Sequence, residues 1–174
     1  FKDDLREGTG TMNYSDGASY SGKWMNGEME GLGKFTWPNG DTYLGEFKRN
    51  KIKNGEGVIN YFNGIEYLGD IFNGKPNGQG EISFKDGSKY IGGVEELVFQ
   101  GKGRFIFSDG LEFEGLFKDG LIQKDKGKFK YPINNERTST EEVKKGFWTS
   151  FIDSFFDVAS DGISASTREL IFEN

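Results

Sequence analysis

Residues 38–47 read PNGDTYLGEF: a turn dipeptide is followed, at fixed positions, by an aromatic residue, a glycine and a second aromatic residue. The same arrangement returns at 16–24 (DGASYSGKW), 63–71 (NGIEYLGDI), 86–94 (DGSKYIGGV) and 109–117 (DGLEFEGLF). The aromatic residues that open these stretches are 23 or 24 residues apart, at Tyr20, Tyr43, Tyr67, Tyr90 and Phe113. A fixed period of this length indicates a repeat architecture.

Each repeat is long enough for two short strands and two turns. Alternation places Tyr20, Gly22 and Trp24 on one face of the first strand and the residues between them on the other. The Asn-Gly or Asp-Gly dipeptide before each repeat accepts the positive φ that both central positions of a type I′ turn require. We expect such turns at Asp16-Gly17, Asn39-Gly40, Asn63-Gly64, Asp86-Gly87 and Asp109-Gly110. The predicted fold is all-β, a single-layer antiparallel β-meander of repeated 23-residue hairpins with about eleven strands.

A glycine lies on the aromatic face of every repeat, at Gly22, Gly45, Gly69, Gly92 and Gly115. Glycine weakens a strand and is tolerated where another group must approach the backbone closely. We therefore expect an aromatic ring to lie flat on the sheet over each glycine. Rings of adjacent repeats should then meet edge to face, which contributes about 0.5–1.5 kcal/mol per pair.

The pattern Y-x-G-x-W-x-x-G-x-x-x-G-x-G, present as YSGKWMNGEMEGLG from residue 20, resembles the MORN (membrane occupation and recognition nexus) repeat. The resemblance covers residues 1–131, as a partial repeat at 1–19 and repeats that start at 20, 43, 67, 90 and 113. Val94, Leu97 and Lys124 depart from the pattern, and we expect the turns there to be longer or differently shaped. Because the register places Phe1 in mid-strand, we also expect the array to continue before it.

The resemblance implies a non-catalytic scaffold of cytoskeletal, ciliary or membrane-junction assemblies, often a dimer. It implies a cytoplasmic location, associated with the cytoskeleton or a membrane.

Beyond the array the composition changes. Residues 132–146 are polar and indicate a linker, and 161–174 form a tail. Between them, 147–160 space phenylalanines at i, i+4 and i+8, which predicts an amphipathic helix. Its polar positions carry Asp153 and Asp157 rather than the basic residues of a membrane-surface helix, which favours docking on the sheet or homodimerisation. The predicted contact residues of this helix are Phe147, Trp148, Phe151, Ile152, Phe155 and Phe156.

The residue types present point away from catalysis. The chain has neither cysteine nor histidine, which removes thiolate metal sites and the usual general base. Its G-x-G pairs enter strands, whereas a phosphate-binding loop needs a following helix. The net charge of −6 argues against a nucleic-acid partner. We therefore predict no enzyme activity, cofactor, metal site or nucleic-acid partner.

The aromatic face is the strongest functional signal, since an apolar face left open is an interaction site. We predict that it binds a helix or peptide of a protein partner. The predicted contact residues are Tyr20, Trp24, Phe35, Trp37, Tyr43, Phe47, Tyr61, Tyr67, Phe84 and Tyr90. Two alternatives stay open at this point. Lys48, Arg49, Lys51 and Lys53 could meet anionic phospholipid headgroups at about 1 kcal/mol each, or the array could regulate an attached enzyme.

Overall fold

A computed structural model describes residues 4–130, apart from the side chains of Lys124 and Asp125. The described chain forms one antiparallel sheet of 11 strands, and each strand pairs with its neighbours in sequence. The strands are β1 (Gly8–Asn13), β2 (Ser19–Met25), β3 (Glu28–Thr36), β4 (Thr42–Lys48), β5 (Lys51–Asn60), β6 (Glu66–Phe72), β7 (Lys75–Ser83), β8 (Lys89–Glu95), β9 (Val98–Ile106), β10 (Glu112–Lys118) and β11 (Leu121–Lys130). The predicted all-β meander is confirmed, while the linker, helix and tail predicted after residue 131 lie outside the described residues.

The sheet register brings one glycine of every strand into a single row. Gly22 pairs with Gly10 on one side and with Gly33 on the other, and the row continues to the Gly115–Gly127 pair. The members are Gly10, Gly22, Gly33, Gly45, Gly57, Gly69, Gly80, Gly92, Gly103, Gly115 and Gly127. In each strand, the residue two positions from the row glycine has a large apolar side chain. These side chains form a second row beside the glycines, and it includes all five repeat-opening aromatics.

The tyrosine of each repeat covers glycines of the row. A Cβ atom added to Gly22 or to Gly33 would lie 2.6 Å from Cζ of Tyr20, so both positions must lack a side chain. The expected ring seat is confirmed, and the ring that occupies it belongs to the same repeat. Edge-to-face contacts between repeats are confirmed as well, with ring centroids 5.0 Å apart for Tyr20–Phe47 and 4.9 Å apart for Tyr90–Phe117.

These contacts bury the repeat-opening aromatics completely. Tyr20, Tyr43, Tyr67, Tyr90 and Phe113 each expose 0 % of their surface. The hydroxyl of Tyr67 donates to the carbonyl of Asp70 at 2.7 Å, and that of Tyr90 donates to Gly93 at 2.8 Å. The ring is thus buried while its polar end is satisfied, which avoids the cost of an unpaired hydroxyl.

The prediction of type I′ turns at Asp16-Gly17 and at the equivalent dipeptides of the other repeats is wrong. Gly17 alone has a positive φ there (94°), and the loop is closed by a Tyr14 N to Ala18 O hydrogen bond of 2.9 Å. The carboxylate of Asp16 accepts the Ala18 N–H at 2.9 Å. This local bond favours an Asx turn over the left-handed conformation that a type I′ turn would need at the aspartate.

The two-residue turns with positive φ at both positions lie inside the repeats instead. They occupy Asn26-Gly27, Arg49-Asn50, Asn73-Gly74, Glu96-Leu97 and Asp119-Gly120. The fourth repeat keeps this length and the positive φ at both positions although it lacks the glycine, so the expectation of a longer or differently shaped turn at Leu97 is wrong. A leucine at φ 68° costs about 1–2 kcal/mol, but its side chain is only 7 % exposed and packs in the core. Burial of the leucine therefore offsets its backbone strain.

Candidate functional site

The two faces of the sheet differ in chemistry. We call the side that carries the glycine row and the repeat-opening rings the aromatic face, and the opposite side the outer face. In β4, for example, Tyr43, Gly45 and Phe47 are buried on the aromatic face, while Leu44 and Glu46 are exposed on the outer face. The core cluster lies on the aromatic face and consists of aromatic and aliphatic side chains.

The ten predicted contact residues all lie on the aromatic face, but their burial differs. Seven are buried: Tyr20, Trp24, Tyr43, Phe47, Tyr61, Tyr67 and Tyr90. The other three, Phe35, Trp37 and Phe84, are half-buried and pack against the core. Direct contact with a partner is therefore open to the half-buried residues, whereas the buried ones form the floor beneath them.

Tyr14, Phe35 and Trp37 form what we call the open aromatic cluster. The ring centroids of Phe35 and Trp37 are 5.1 Å apart at 63°, and those of Tyr14 and Phe35 are 6.2 Å apart at 40°. All three rings are half-buried. The sequence prediction missed Tyr14, although it precedes Asp16-Gly17 by the same interval at which Trp37 precedes Asn39-Gly40.

A buried carboxylate fixes the loop that carries Trp37. Asp41 is 0 % exposed, and its side chain accepts the backbone N–H of Phe62 at 2.8 Å and the Asn39 amide at 2.9 Å. Its carbonyl accepts the Trp37 N–H at 2.9 Å. Asp41 thus ties this loop to the loop of the next repeat. The equivalent positions in other repeats are not acidic, so the repeat pattern gave no signal for this role.

Tyr61, in that next loop, is held neutral by its surroundings. It is 5 % exposed, and burial raises the pKa of its hydroxyl far above 10, with the Asp41 carboxylate raising it further. Burial also raises the pKa of Tyr67, with the Asp70 charge as a second cause. The aromatic face therefore presents uncharged rings near neutral pH, which suits contact with an apolar partner surface.

The basic residues of the lipid alternative lie in the β4–β5 hairpin. Lys48, Arg49, Lys51 and Lys53 are all exposed. Lys53 forms an ion pair with Glu46, and the Arg49 backbone N–H donates to Glu30 at 3.1 Å. Lys48, Arg49 and Lys51 make no ion pair with another described residue, so three cations remain available to an anionic ligand.

Within residues 4–130, no group of three or more acidic side chains is placed to hold a metal ion. Over the same residues, no helix is long and apolar enough to cross a membrane.

Comparison with known proteins supports the repeat assignment. The family-wide sequence description of the MORN repeat matches residues 1–19, 20–42, 67–89 and 98–112. No curated protein matches the chain. Among solved structures, the chain is similar to the wild-type TCP10 domain of CPAP from Danio rerio, determined in complex with a peptide of Danio rerio STIL. The identity is 20 %, the match covers 66 % of this chain and 58 % of that chain, and the TM-score is 0.29.

Proposed function

Because this chain is a MORN-repeat protein, we propose that it is a non-catalytic scaffold that binds a helix or peptide of a protein partner through its aromatic face. We place this scaffold in the cytoplasm, in an assembly at the cytoskeleton or at a membrane. The open aromatic cluster is the observation that carries the proposal.

The cluster has the properties of a binding hot spot. Tryptophan and tyrosine are enriched among residues that dominate interface energies. Phe35 and Trp37 are already held by contact with each other and with the core, so they lose little side-chain freedom when a partner covers them. The hydrogen bond from Trp37 N to the carbonyl of Asp41 fixes the backbone beneath the ring. A pre-organised, uncharged aromatic surface of this kind favours an apolar helix face or an extended peptide.

The test uses peptides selected from a displayed random library for binding to the full chain. Their affinity should fall at least about tenfold for Trp37→Ala, as is typical of a tryptophan hot spot. Phe72→Ala is the matched control, because Phe72 is 53 % exposed on the outer face. Circular dichroism checks that both variants fold. Equal weakening by the two variants, or no weakening by Trp37→Ala, would refute the proposed site.

The exposed basic hairpin favours a second candidate function, a tether to anionic phospholipid. In that case the chain should co-sediment with vesicles that contain phosphatidylserine and not with phosphatidylcholine vesicles. The Lys48→Ala/Arg49→Ala/Lys51→Ala variant should lose this binding, and salt should weaken it. Vesicle binding that survives the triple variant would count against the hairpin as a lipid site.

Homodimerisation through the Phe147–Phe156 stripe stays a prediction, because the stripe lies outside the described residues. Light scattering of the full chain and of Phe151→Ser/Phe155→Ser tests it. The expected result is a dimer that the double substitution converts to a monomer. A monomeric full chain would leave partner binding as a property of single copies.

A further inference from the structure

A strip of apolar side chains crosses the outer face at its centre. Leu44 on β4 pairs with Val58 on β5, and Val58 pairs with Leu68 on β6, so the three side chains lie next to one another. Leu44 and Leu68 are each 51 % exposed, and Val58 is half-buried. We call these three residues the apolar strip. It lies on the side of the sheet opposite the open aromatic cluster.

On the outer face, the positions that continue this strip across strands β7 to β11 are mostly charged. They carry Glu81, Arg104, Glu114 and Lys128, with Ile91 between the first two. Glu81 forms an ion pair with Lys89 at 2.6 Å, and Arg104 forms an ion pair with Glu112 at 3.8 Å. That region is an ordinary solvent-exposed polar face, whereas the apolar strip leaves hydrocarbon exposed on three adjacent strands.

Acidic side chains flank the strip on β5 and β6, whereas the exposed Lys34 pairs with Leu44 at its β3 end. Glu56 and Asp70 lie two residues from Val58 and Leu68 along their strands, and they face each other directly across β5 and β6. Like charges in directly opposite positions destabilise a sheet. Glu66 lies on the other flank, two residues before Leu68. None of these three carboxylates forms an ion pair with another described residue, and the Asp70 carboxylate accepts the Gln79 N–H at 2.7 Å. A cationic group brought to that flank would relieve the repulsion between Glu56 and Asp70.

We propose that the apolar strip binds a basic amphipathic helix of a protein partner. Strands are about 4.8 Å apart, so the strip spans about 10 Å from Leu44 to Leu68. Residues i and i+7 of a helix are also about 10 Å apart along the axis. A helix that lies across β4, β5 and β6 therefore sets three apolar side chains on the strip and basic side chains beside Glu56 and Asp70.

The charges on the flanks select this occupant over the others. The segment 147–160 of this chain carries Asp153 and Asp157 at its polar positions, which would meet carboxylates of the same sign. An anionic bilayer that lay on the strip would meet the same carboxylates, so any lipid contact belongs to the basic hairpin and not to the strip. A helix with lysine or arginine at those positions gains apolar burial and ion pairs together.

The test measures binding of two synthetic helical peptides to the full chain by titration calorimetry. Both have roughly 18 residues, or five helical turns, and the same leucine stripe, but one carries lysine and the other glutamate at the remaining positions. The lysine peptide should bind and the glutamate peptide should not. Leu44→Ser/Leu68→Ser should weaken the lysine peptide about tenfold or more through lost apolar contact. Leu121→Ser, at a residue 53 % exposed on β11, is the control that should leave it unchanged.

Charge reversal supplies the second arm. Glu56→Lys/Glu66→Lys should weaken the lysine peptide and allow the glutamate peptide to bind. Trp37→Ala should change neither result, which separates this surface from the aromatic face. Equal binding of the two peptides, or binding that survives Leu44→Ser/Leu68→Ser, would overturn the proposal. A dimer of the full chain that Leu44→Ser/Leu68→Ser converts to a monomer would overturn it as well, in favour of a second copy.

Discussion

The first and the fourth full repeats use the same repeat positions in different ways. Near the first repeats, Phe35 and Trp37 are half-buried and form a surface with Tyr14. The equivalent residues of the fourth full repeat, Phe105 and Phe107, are 0 % and 4 % exposed. The rings of Phe105 and Phe107 lie 4.6 Å apart, so the contact between neighbours is kept while the exposure changes.

Residues at positions that vary between repeats account for much of this difference in exposure. Met29 of the first full repeat corresponds to Phe99, whose ring stacks on Tyr90 at 4.1 Å and 20°. Phe84 reaches the same group, with its ring centroid 6.3 Å from that of Phe99 and 6.0 Å from that of Phe105. Leu97 adds a buried side chain at a turn position that is glycine in three of the other four repeats and asparagine in the remaining one. The repeat therefore builds the face, while the variable positions decide whether it is core or surface.

The largest effect is expected where both regions depend on the glycine row. Gly33→Ala and Gly103→Ala should each destabilise the protein by about 3 kcal/mol or more, because the new methyl group overlaps the ring of Tyr20 or Tyr90. Gly10→Ala is the control in the same row, since its nearest neighbour atom, in Trp24, is 3.9 Å away. Urea unfolding followed by tryptophan fluorescence measures all three. A similar cost at Gly10 would show that strand propensity, not the ring seat, explains these glycines.

An effect of similar size at Phe105, and about half that size at Phe35, should distinguish core from surface directly. Phe105→Ala should cost about 3–5 kcal/mol in unfolding free energy, as for a fully buried phenylalanine. Phe35→Ala should cost roughly half of that, because part of its ring already faces solvent. The same urea experiment checks both, with the exposed Phe72→Ala as control. If Phe35 costs as much as Phe105, then the open aromatic cluster is core and its role as a contact surface is contradicted.

Alkaline pH should lower the free energy of unfolding through tyrosines in both regions. Burial raises the pKa of Tyr90 to about 12 and also raises those of Tyr20 and Tyr43, whereas tyrosine in the unfolded chain titrates near 10. The folded state therefore keeps its protons longer, and this stabilisation, fully present below pH 10, is lost as pH rises through 10 towards 12. Urea midpoints from pH 8 to pH 12 measure the loss. Tyr90→Phe should make the decline shallower, and an unchanged slope would exclude Tyr90 as a contributor.

The smallest effect concerns the links between repeats at the tight turns. The Glu30 carboxylate accepts the Arg49 N–H, so Glu30→Ala should cost about 0.5–1 kcal/mol. Asn77 holds the equivalent position in the later region, but the Glu96 N–H donates to the carbonyl of Pro76 at 2.8 Å instead. Asn77→Ala should therefore be close to neutral. Thermal unfolding of both variants measures the difference, and equal losses would contradict a side-chain link at Glu30.

Much of the fold could be predicted from the sequence because its signals are local and repeated. Alternation along each strand assigned Tyr20, Gly22 and Trp24 to one face, and the period set the number of strands. The turn types were predicted less well, since Asn-Gly and Asp-Gly dipeptides occur at both kinds of turn. The hydrogen bond that the Ala18 N–H donates to the Asp16 carboxylate, which the dipeptide alone does not reveal, decides between them.

The candidate site was predicted as a face and not as a set of accessible residues. The sequence placed ten residues on the aromatic face, and the structure agrees on the face while it buries seven of them. Tyr14 was missed although the register that places Phe1 in mid-strand also places Tyr14 at the position that Trp37 holds in the next repeat. Asp41 was missed because a buried carboxylate depends on the Phe62 N–H of the next repeat, 21 residues away.

By itself, the amino-acid sequence determined the repeat, the glycine row and the chemistry of the two faces, because each follows from short-range spacing. The tertiary structure decided which rings stay accessible and which turn is type I′, and it brought Leu44, Val58 and Leu68 together. Those outcomes depend on the register between strands and on contacts across repeats. Such contacts join residues that are 10 or more positions apart, where no local pattern records them.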